Sequence, residues 1–174
     1  QAERTGGTHR RAMMRGIVTT VGVNTISGNT VRNLSSPSQS TGLSVVGIWQ
    51  NSTAGGQTIS GNVVHSLSNT SNAAVTPDPN AAVTVTGIYY DGGISGTNVI
   101  ERNFVHSLSL DSNSASAELN GLRFGSGCRF TAQNNMVRVG LDASGANAAS
   151  AAIVRGLYDN DNGASQPRNF IHNS

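Results

Sequence analysis

The stretch "TISGNVVHSL", Thr58 to Leu67, decides the fold because it recurs along the chain. Related stretches read "TISGNTVRNL" from Thr25 and "IERNFVHSL" from Ile100, and the last six residues read "NFIHNS". Self-similarity of this kind indicates a repeat architecture, in which each copy is one structural unit stacked on the next. The chain has 174 residues, which is enough for several such units.

Two short signatures alternate along the chain, with five copies of each. A glycine directly precedes an aliphatic residue at Gly16, Gly47, Gly87, Gly121 and Gly156. An asparagine precedes an apolar residue by two positions at Asn29, Asn62, Asn103, Asn135 and Asn169. The steps from Gly to Asn are 13, 15, 16, 14 and 13 residues, whereas the return steps are 18, 25, 18 and 21. One side of the repeat is therefore constrained and the other accepts insertions, which is typical of a solenoid with long variable loops at one corner.

The repeated segments have the pattern of strands rather than helices. They are short, β-branched and alternating, and Gly or Asn interrupts them about every ten residues. Asparagine tolerates the left-handed backbone conformation, so the five asparagines are expected to mark one corner of each coil. Stacked asparagines also bond to one another. We therefore expect a structural ladder of Asn29, Asn62, Asn103, Asn135 and Asn169.

With its "G-I-x" and "N-x-I/V" rungs, the chain resembles the right-handed parallel β-helix family, the pectate-lyase-like solenoids. The resemblance covers about Met13 to Ser174 and implies an all-β solenoid of about five coils. That family includes polysaccharide lyases and hydrolases, phage tailspikes and adhesins. The resemblance therefore implies a fold without implying one function.

The composition is polar but carries little charge. Charged residues make up 11% of the chain and none of them is lysine, which favours an extracellular or cell-surface location. Arginines cluster near the start, so residues 1–12 are expected to form a solvated basic arm before the repeats at 13–174. Cys128 is the single cysteine, which excludes an internal disulfide and predicts a small buried side chain. No apolar run approaches the roughly 20 residues of a membrane span, so none is expected.

One column of the repeat is predicted to form an outward row of rings. In a parallel solenoid, equivalent residues of successive coils lie about 4.8 Å apart, so a column is a physical row. This column holds Val18, Trp49, Tyr89, Arg123 and Tyr158. Such rings can stack on sugars, so Trp49, Tyr89, Arg123 and Tyr158 are the candidate ligand-binding residues. Burial of the rings under the long loops is the alternative.

A second column holds Arg32, His65, His106, Arg138 and His172. If it points outward, it forms a cationic and pH-sensitive stripe, and a solvated face is the alternative. No carboxylate or cysteine joins the histidines in this column, so no metal site is expected. The chain beyond the arm lacks a basic surface interleaved with aromatic residues, so nucleic-acid binding is not expected.

The nine carboxylates are scattered along the sequence. The resemblance implies that β-helix enzymes use clustered carboxylates, either to hold calcium or as acid and base. Asp91, Arg123 and Asp159 occupy nearly equivalent positions of three successive coils and are the best candidate for such a catalytic cluster. A lyase or hydrolase acting on acidic polysaccharide is therefore the alternative function, with calcium as its one implied cofactor. A charge-paired surface row needs no chemistry and is the simpler interpretation.

The two ends of the sequence look complementary. Asn169 to Ser174 is 5 steps, and Gln1 to Gly16 of another copy adds 16 residues, giving 21, within the observed return steps. The sequence is thus expected either to belong to a longer β-helix or to stack end to end as a filament. We accordingly expect an extracellular structural or adhesive module that self-associates through its solenoid ends and contacts glycans along the ring column.

Overall fold

The computed structural model describes residues 13–36, 43–70, 83–112, 114, 116–148, 152–161 and 166–174. Fifteen strands lie in these ranges, and none of the described residues is helical. The expected basic arm, residues 1–12, lies outside the described residues. Over the described part of the chain the fold is therefore all-β.

The strands form three sheets in which the strand pairings are parallel. Sheet A contains β1 (Met13–Thr19), β5 (Ser44–Gln50), β8 (Thr84–Tyr90), β11 (Glu118–Phe124) and β14 (Ile153–Asp159). Sheet B contains β2 (Thr25–Ser27), β6 (Thr58–Ser60), β9 (Val99–Glu101), β12 (Phe130–Gln133) and β15 (Arg168–Ile171). Sheet C contains β3 (Thr30–Arg32), β4 (Ser35–Ser36), β7 (Val63–Asn69), β10 (Phe104–Leu110) and β13 (Met136–Arg138).

Each turn of the chain contributes strands to sheets A, B and C in that order, and each strand pairs with its counterpart in the next turn. The expected all-β parallel solenoid is confirmed. The number of turns is lower than expected: four turns are complete, and β14 and β15 supply two sides of a fifth. The longest connections run from sheet C to sheet A, which is the side where the sequence accepts insertions.

The core consists of vertical files of inward side chains. In each file, the strand register places equivalent residues of successive turns directly above one another. In sheet A, Ile48, Ile88 and Leu122 are successive members of one file and are almost completely buried. In sheet B, Ile59 and Ile100 are likewise successive members of one file and are almost completely buried. Burying one such side chain stabilises the fold by about 1.5–3 kcal/mol. Because the files repeat in every turn, each turn buries its apolar surface on its neighbours.

The recurring glycines of sheet A lie where two elements touch without room for a side chain. A Cβ at Gly47 would lie 2.6 Å from the carbonyl oxygen of Gly87, and a Cβ at Gly87 would lie 2.7 Å from that of Gly121. The opposite contact is a valine of sheet C, Val64 for Gly47 and Val105 for Gly87. The glycine signature therefore reflects close packing of sheet A on sheet C across the core.

A ladder of buried asparagines runs through the turn between sheets B and C. In each step, the backbone N and Nδ2 of one asparagine both donate to Oδ1 of the asparagine one turn later. The donor–acceptor distances are 2.9–3.1 Å for the successive pairs Asn29–Asn62, Asn62–Asn103, Asn103–Asn135 and Asn135–Asn173. Nδ2 also donates to a carbonyl one turn earlier, as Asn103 does to Ile59 at 3.0 Å.

The fifth member of this ladder is Asn173, so the expected assignment of Asn169 is wrong. Asn169 lies in β15 opposite Thr131, because Phe170 takes the inward position opposite Ala132. This change also removes the length match between the chain ends. From Asn173 to Ser174 is one step, and Gln1 to Gly16 of another copy adds 16 residues. The total of 17 is below the shortest return step of 18.

The left-handed corner residue also differs from the expected one. The ladder asparagines do not have positive φ, whereas the residue before each of them does. These preceding residues are Gly28, Gly61, Arg102, Asn134 and His172, with φ between 50° and 65°. The turn therefore uses one residue to reverse direction and the next to satisfy buried backbone groups with its amide.

Candidate functional site

The aromatic column forms a continuous row on the outer face of sheet A. Val18, Trp49, Tyr89, Arg123 and Tyr158 are in register on successive strands. Trp49 and Tyr89 have nearly parallel rings, with centroids 6.4 Å apart and an interplanar angle of 17°. Trp49, Tyr89, Arg123 and Tyr158 are half-buried, so the row lies at the surface among the described residues.

Guanidinium groups lie against the rings of this row. Arg15 Cζ is 3.8 Å from the centroid of Trp49, and Arg155 Cζ is 4.1 Å from that of Tyr158. Arg123 lies between two tyrosines, 5.0 Å from Tyr89 and 5.4 Å from Tyr158. Cation–π contacts of this kind fix the rings and occupy part of their faces. The row is therefore an alternation of rings and cations rather than an open aromatic platform.

A shallow trough of about 390 Å³ runs beside this row. Its floor includes the buried side chains of Val46 and Thr86, and its walls include Tyr89, Arg123 and Glu118. Glu118 Oε1 lies 3.1 Å from Arg155 Nη1, and Glu118 Oε2 lies 3.7 Å from Arg123 Nη1. Glu118 therefore pairs with two of the cations that line the row. The trough offers charge of both signs next to ring edges, which suits a polar ligand such as a sugar.

Tyr89 joins the row to Asp91. Burial, together with the nearby Asp91 carboxylate as a charge and as a hydrogen-bond acceptor, raises the pKa of the Tyr89 phenol to about 12. The phenol therefore stays protonated over the physiological range and acts as a donor. Arg123 acts in the opposite direction on the same phenol.

The members of the expected catalytic cluster have different neighbours. Asp91 and Arg123 both lie beside Tyr89, whereas Asp159 pairs with Arg168 at the end of the solenoid. In the register, Asp159 is the counterpart of Phe124 and not of Asp91. Asp159 therefore occupies an inward position of the last turn.

The second column is shorter than expected. Arg32, His65, His106 and Arg138 are in register on sheet C. His172 is not in this row, because it is the left-handed residue before Asn173. The His65 and His106 rings stack with centroids 4.9 Å apart and an interplanar angle of 1°.

Metal ligands do not cluster in the part of the chain that the structure describes. Within those ranges, no group of three or more His, Cys, Asp or Glu side chains is arranged to hold a metal ion. Cys128 is buried, as expected, and burial raises the pKa of its thiol to about 11. Among the same residues, no helix is long and apolar enough to cross a bilayer.

A second amide ladder went unrecognised in the sequence. It lies in the turn between sheets A and B, where the backbone N of Asn24 donates to Gln57 Oε1 and that of Gln57 donates to Asn98 Oδ1, both at 3.0 Å. Its signal is an amide residue two positions before the inward isoleucine, in "NTIS", "QTIS" and "NVIE". The mixture of Asn and Gln obscures that pattern. Arg15, Glu118 and Arg155 were likewise missed as neighbours of the ring row.

Comparison with known proteins does not assign the chain to a family. No protein-family model matches the chain, and no curated protein or solved structure matches it significantly.

Proposed function

We propose that this chain is a structural and adhesive module of an extracellular or cell-surface assembly, and that it stacks end to end with further copies of itself. The observation that supports this proposal most directly is the apolar end of the last turn. Val154, Leu157 and Phe170 are 41%, 40% and 42% exposed, although their counterparts one turn earlier are buried. Contiguous apolar surface of this kind is typical of interaction sites.

A second copy fits this end in register. The first turn carries Met14, Ile17 and Ile26 in the same three files as Val154, Leu157 and Phe170. Placing β1 of one copy on β14 of another, and β2 on β15, brings apolar side chains together in every file. Unpaired strand edges favour this kind of addition because their backbone groups still lack partners.

The asparagine ladder gives the stacking a direction. In every bond between two ladder asparagines the donor belongs to the earlier turn, so Asn173 is placed to donate to a further asparagine and Asn29 is placed to accept through Oδ1. Joining these two ends continues the ladder into the second copy. Two identical ends would bring donors to donors or acceptors to acceptors. The assembly is therefore head to tail, which leads to a filament and not to a closed dimer.

The charges at this contact predict salt dependence. In the stacked register Arg155 lies next to Arg15 of the second copy, and both are cations. Arg155 is already paired with Glu118 at 3.1 Å, which reduces the repulsion. Added salt screens what is left, because the Debye length falls to about 3 Å at 1 M. Stacking is thus expected to strengthen as sodium chloride is added.

Replacing Gly156 by alanine is expected to abolish stacking without unfolding the chain. A Cβ at Gly156 has no neighbour within 4 Å in the single copy. In the stack it would meet the carbonyl of Gly16 of the next copy, just as a Cβ at Gly121 meets that of Gly156 at 2.6 Å. Sedimentation velocity over a concentration series, with electron microscopy of the wild type, measures the effect.

A second pair of variants tests the apolar part of the contact. Leu157→Asp places a charge in the end file and is expected to stop assembly. Ile94→Asp makes the same change at a side chain that is 60% exposed outside the three end files, and it should leave assembly intact. A wild-type chain that stays a monodisperse monomer at high protein concentration and high salt would refute the stacking proposal.

The ring row supports the adhesive part of the proposal. Its rings and cations lie beside the polar trough, so a glycan laid along sheet A would contact Trp49, Tyr89, Arg123 and Tyr158 in successive turns. Sugars bind such rings through their apolar faces and bind the neighbouring charges through hydroxyl groups. Repetition of the row in a filament would add weak contacts together.

Trp49 is the sole tryptophan, so its fluorescence reports directly on this row. A glycan array followed by fluorescence titration is expected to give a saturable signal. Tyr89→Ala should weaken the binding about fivefold, since one aromatic contact contributes about 1 kcal/mol. Val18→Ala changes the same row at a position without a ring and should have no effect. No response across the array would exclude this part of the proposal.

The family and location are also part of the proposal. The likeness to pectate-lyase-like β-helices rests on the glycine and asparagine signatures and on the three parallel sheets. The absence of lysine supports an extracellular or cell-surface location. The alternative of a polysaccharide-degrading enzyme is less well supported, because Asp159 and Arg123 are already paired with Arg168 and Glu118.

A further inference from the structure

The outer face of sheet C carries a row of side chains that the stacking and the ring row do not involve. Arg32, His65, His106 and Arg138 follow one another on four successive strands. The two histidines are half-buried and stack with parallel rings. The neighbouring positions of the same face hold serines, so the surface is rich in hydrogen-bond donors.

The hydrogen bonds of the histidines orient both rings in the same way. Nδ1 of His65 lies 2.9 Å from Oγ of Ser66, and Nδ1 of His106 lies 2.8 Å from Oγ of Ser107. Arg138 also donates to the Ser107 hydroxyl at 3.4 Å, which leaves the hydroxyl hydrogen available for His106 Nδ1. A neutral His106 with its hydrogen on Nε2 fits this arrangement, and the protonated ring carries an N–H on both nitrogens.

The serines are held in place by an unusual backbone conformation. Ser66 and Ser107 both have φ of 54°, the left-handed region that few residues other than glycine adopt. This conformation, within β7 and β10, places each hydroxyl beside the preceding imidazole. Nε2 is then the ring nitrogen left for a ligand, and the two Nε2 atoms are separated by about one strand spacing.

We propose that His65 and His106, flanked by Arg32 and Arg138, form a binding site for a tetrahedral oxyanion, the sulfate or phosphate group of a ligand. The two rings are parallel with centroids 4.9 Å apart, so N–H donors at equivalent ring nitrogens can each reach a different oxygen of one anion. Charge-assisted N–H···O bonds are about 2.8 Å long, so one anion spans the gap without movement of either ring. The arginines supply fixed positive charge on both sides.

The charges around the site make the binding depend on pH. Burial lowers the pKa of His106, and the positive charges of His65 and Arg138 lower it further. Arg32 is the neighbour of His65 on the other side. Asp142, Ser66 and Ser107 line a cleft of about 280 Å³. Asp142 Oδ1 accepts hydrogen bonds from the backbone N and the Oγ of Ser144.

A bound dianion offsets the repulsion between these positive charges and therefore favours the protonated imidazoles. Protonation adds up to two positive charges to the row, so the affinity is expected to rise as the pH falls. The two exposed charge contacts together are expected to make the binding about tenfold tighter, or about 1.4 kcal/mol, at about pH 5.5 than at about pH 8.

Nuclear magnetic resonance of the histidine rings in the full chain tests the site. Inorganic sulfate is the first probe, because its charge is constant over this pH range, with sodium chloride keeping the ionic strength fixed. We expect sulfate to shift the ring resonances of His65 and His106 and to leave those of His172 unchanged. Inorganic phosphate is the second probe and separates the two sources, since its charge, unlike that of sulfate, changes within this pH range.

Arg138→Gln gives an outcome that a purely structural role would not produce. Without sulfate, the variant should raise the pKa of His106 because a repelling charge is removed. It should also weaken sulfate binding several-fold, because a fixed cation is lost. If sulfate leaves the ring resonances of His65 and His106 unchanged, or shifts those of His172 equally, the site does not exist. Neither result affects the stacking proposal, which involves other surfaces.

Discussion

Gly87→Ala should lower the free energy of unfolding by about 3 kcal/mol, because overpacking of a close contact costs about that much. The added Cβ would lie 2.7 Å from the Gly121 carbonyl and would also meet Cγ1 of Val105. The first neighbour is backbone of the next turn, so it cannot move aside by a change of side-chain rotamer. Relief of both contacts requires β8 to move away from β11 within sheet A and from Val105 in sheet C.

Urea unfolding followed by circular dichroism measures this loss. Gly156→Ala is the matched control, because it makes the same change in the same column at a position with no atom within 4 Å. At dilutions where the chain is monomeric, the control should unfold within about 0.5 kcal/mol of the wild type. Equal losses in both variants would mean that the alanine itself, and not the contact with the next turn, causes the effect.

Asn103→Ala is expected to cost a similar amount, about 3 kcal/mol. The buried amide of Asn103 accepts two hydrogen bonds from Asn62 and donates to Asn135 and to the Ile59 carbonyl. Its removal leaves several buried polar groups without a partner, and each such group costs about 1–3 kcal/mol when water does not replace the bond. Partial entry of water reduces the sum.

Asn169→Ala distinguishes the ladder in the structure from the ladder expected from the motif. Asn169 is exposed, and its Nδ2 makes a 3.4 Å contact with Thr131 Oγ1. We expect its replacement to change the stability by less than about 0.5 kcal/mol. Asn173→Ala should cost more, because Asn173 accepts from Asn135 and donates to the Ala132 carbonyl. The reverse order in thermal unfolding would overturn the assignment of Asn173.

The sequence predicts the fold well because a solenoid needs each turn to regain register with the last. That requirement fixes the glycines of sheet A and most of the asparagines, so their spacing is visible without coordinates. The row through Trp49 and Tyr89 was predictable for the same reason. In-register parallel strands place equal positions of the repeat side by side.

The errors occur where one residue decides which face a side chain takes. Asp91 lies four positions after Gly87, whereas Asp159 lies three positions after Gly156, and a shift of one residue moves a strand side chain to the other face. The ending "NFIHNS" fits the asparagine motif at Asn169, whereas Asn173 is followed by one residue and cannot show the motif. Contact of the Phe170 ring with Phe124 and Phe130 places Asn173 in the ladder instead, and the motif does not contain that information.

The strict register between turns also makes the length of this molecule adjustable in fixed steps. A whole turn can be gained or lost without changing the cross-section, since each strand contacts its counterparts above and below. Every such duplication lengthens the rod by one strand spacing, about 4.8 Å. A gene that encodes such a rod could therefore set the reach of its product by counting repeats.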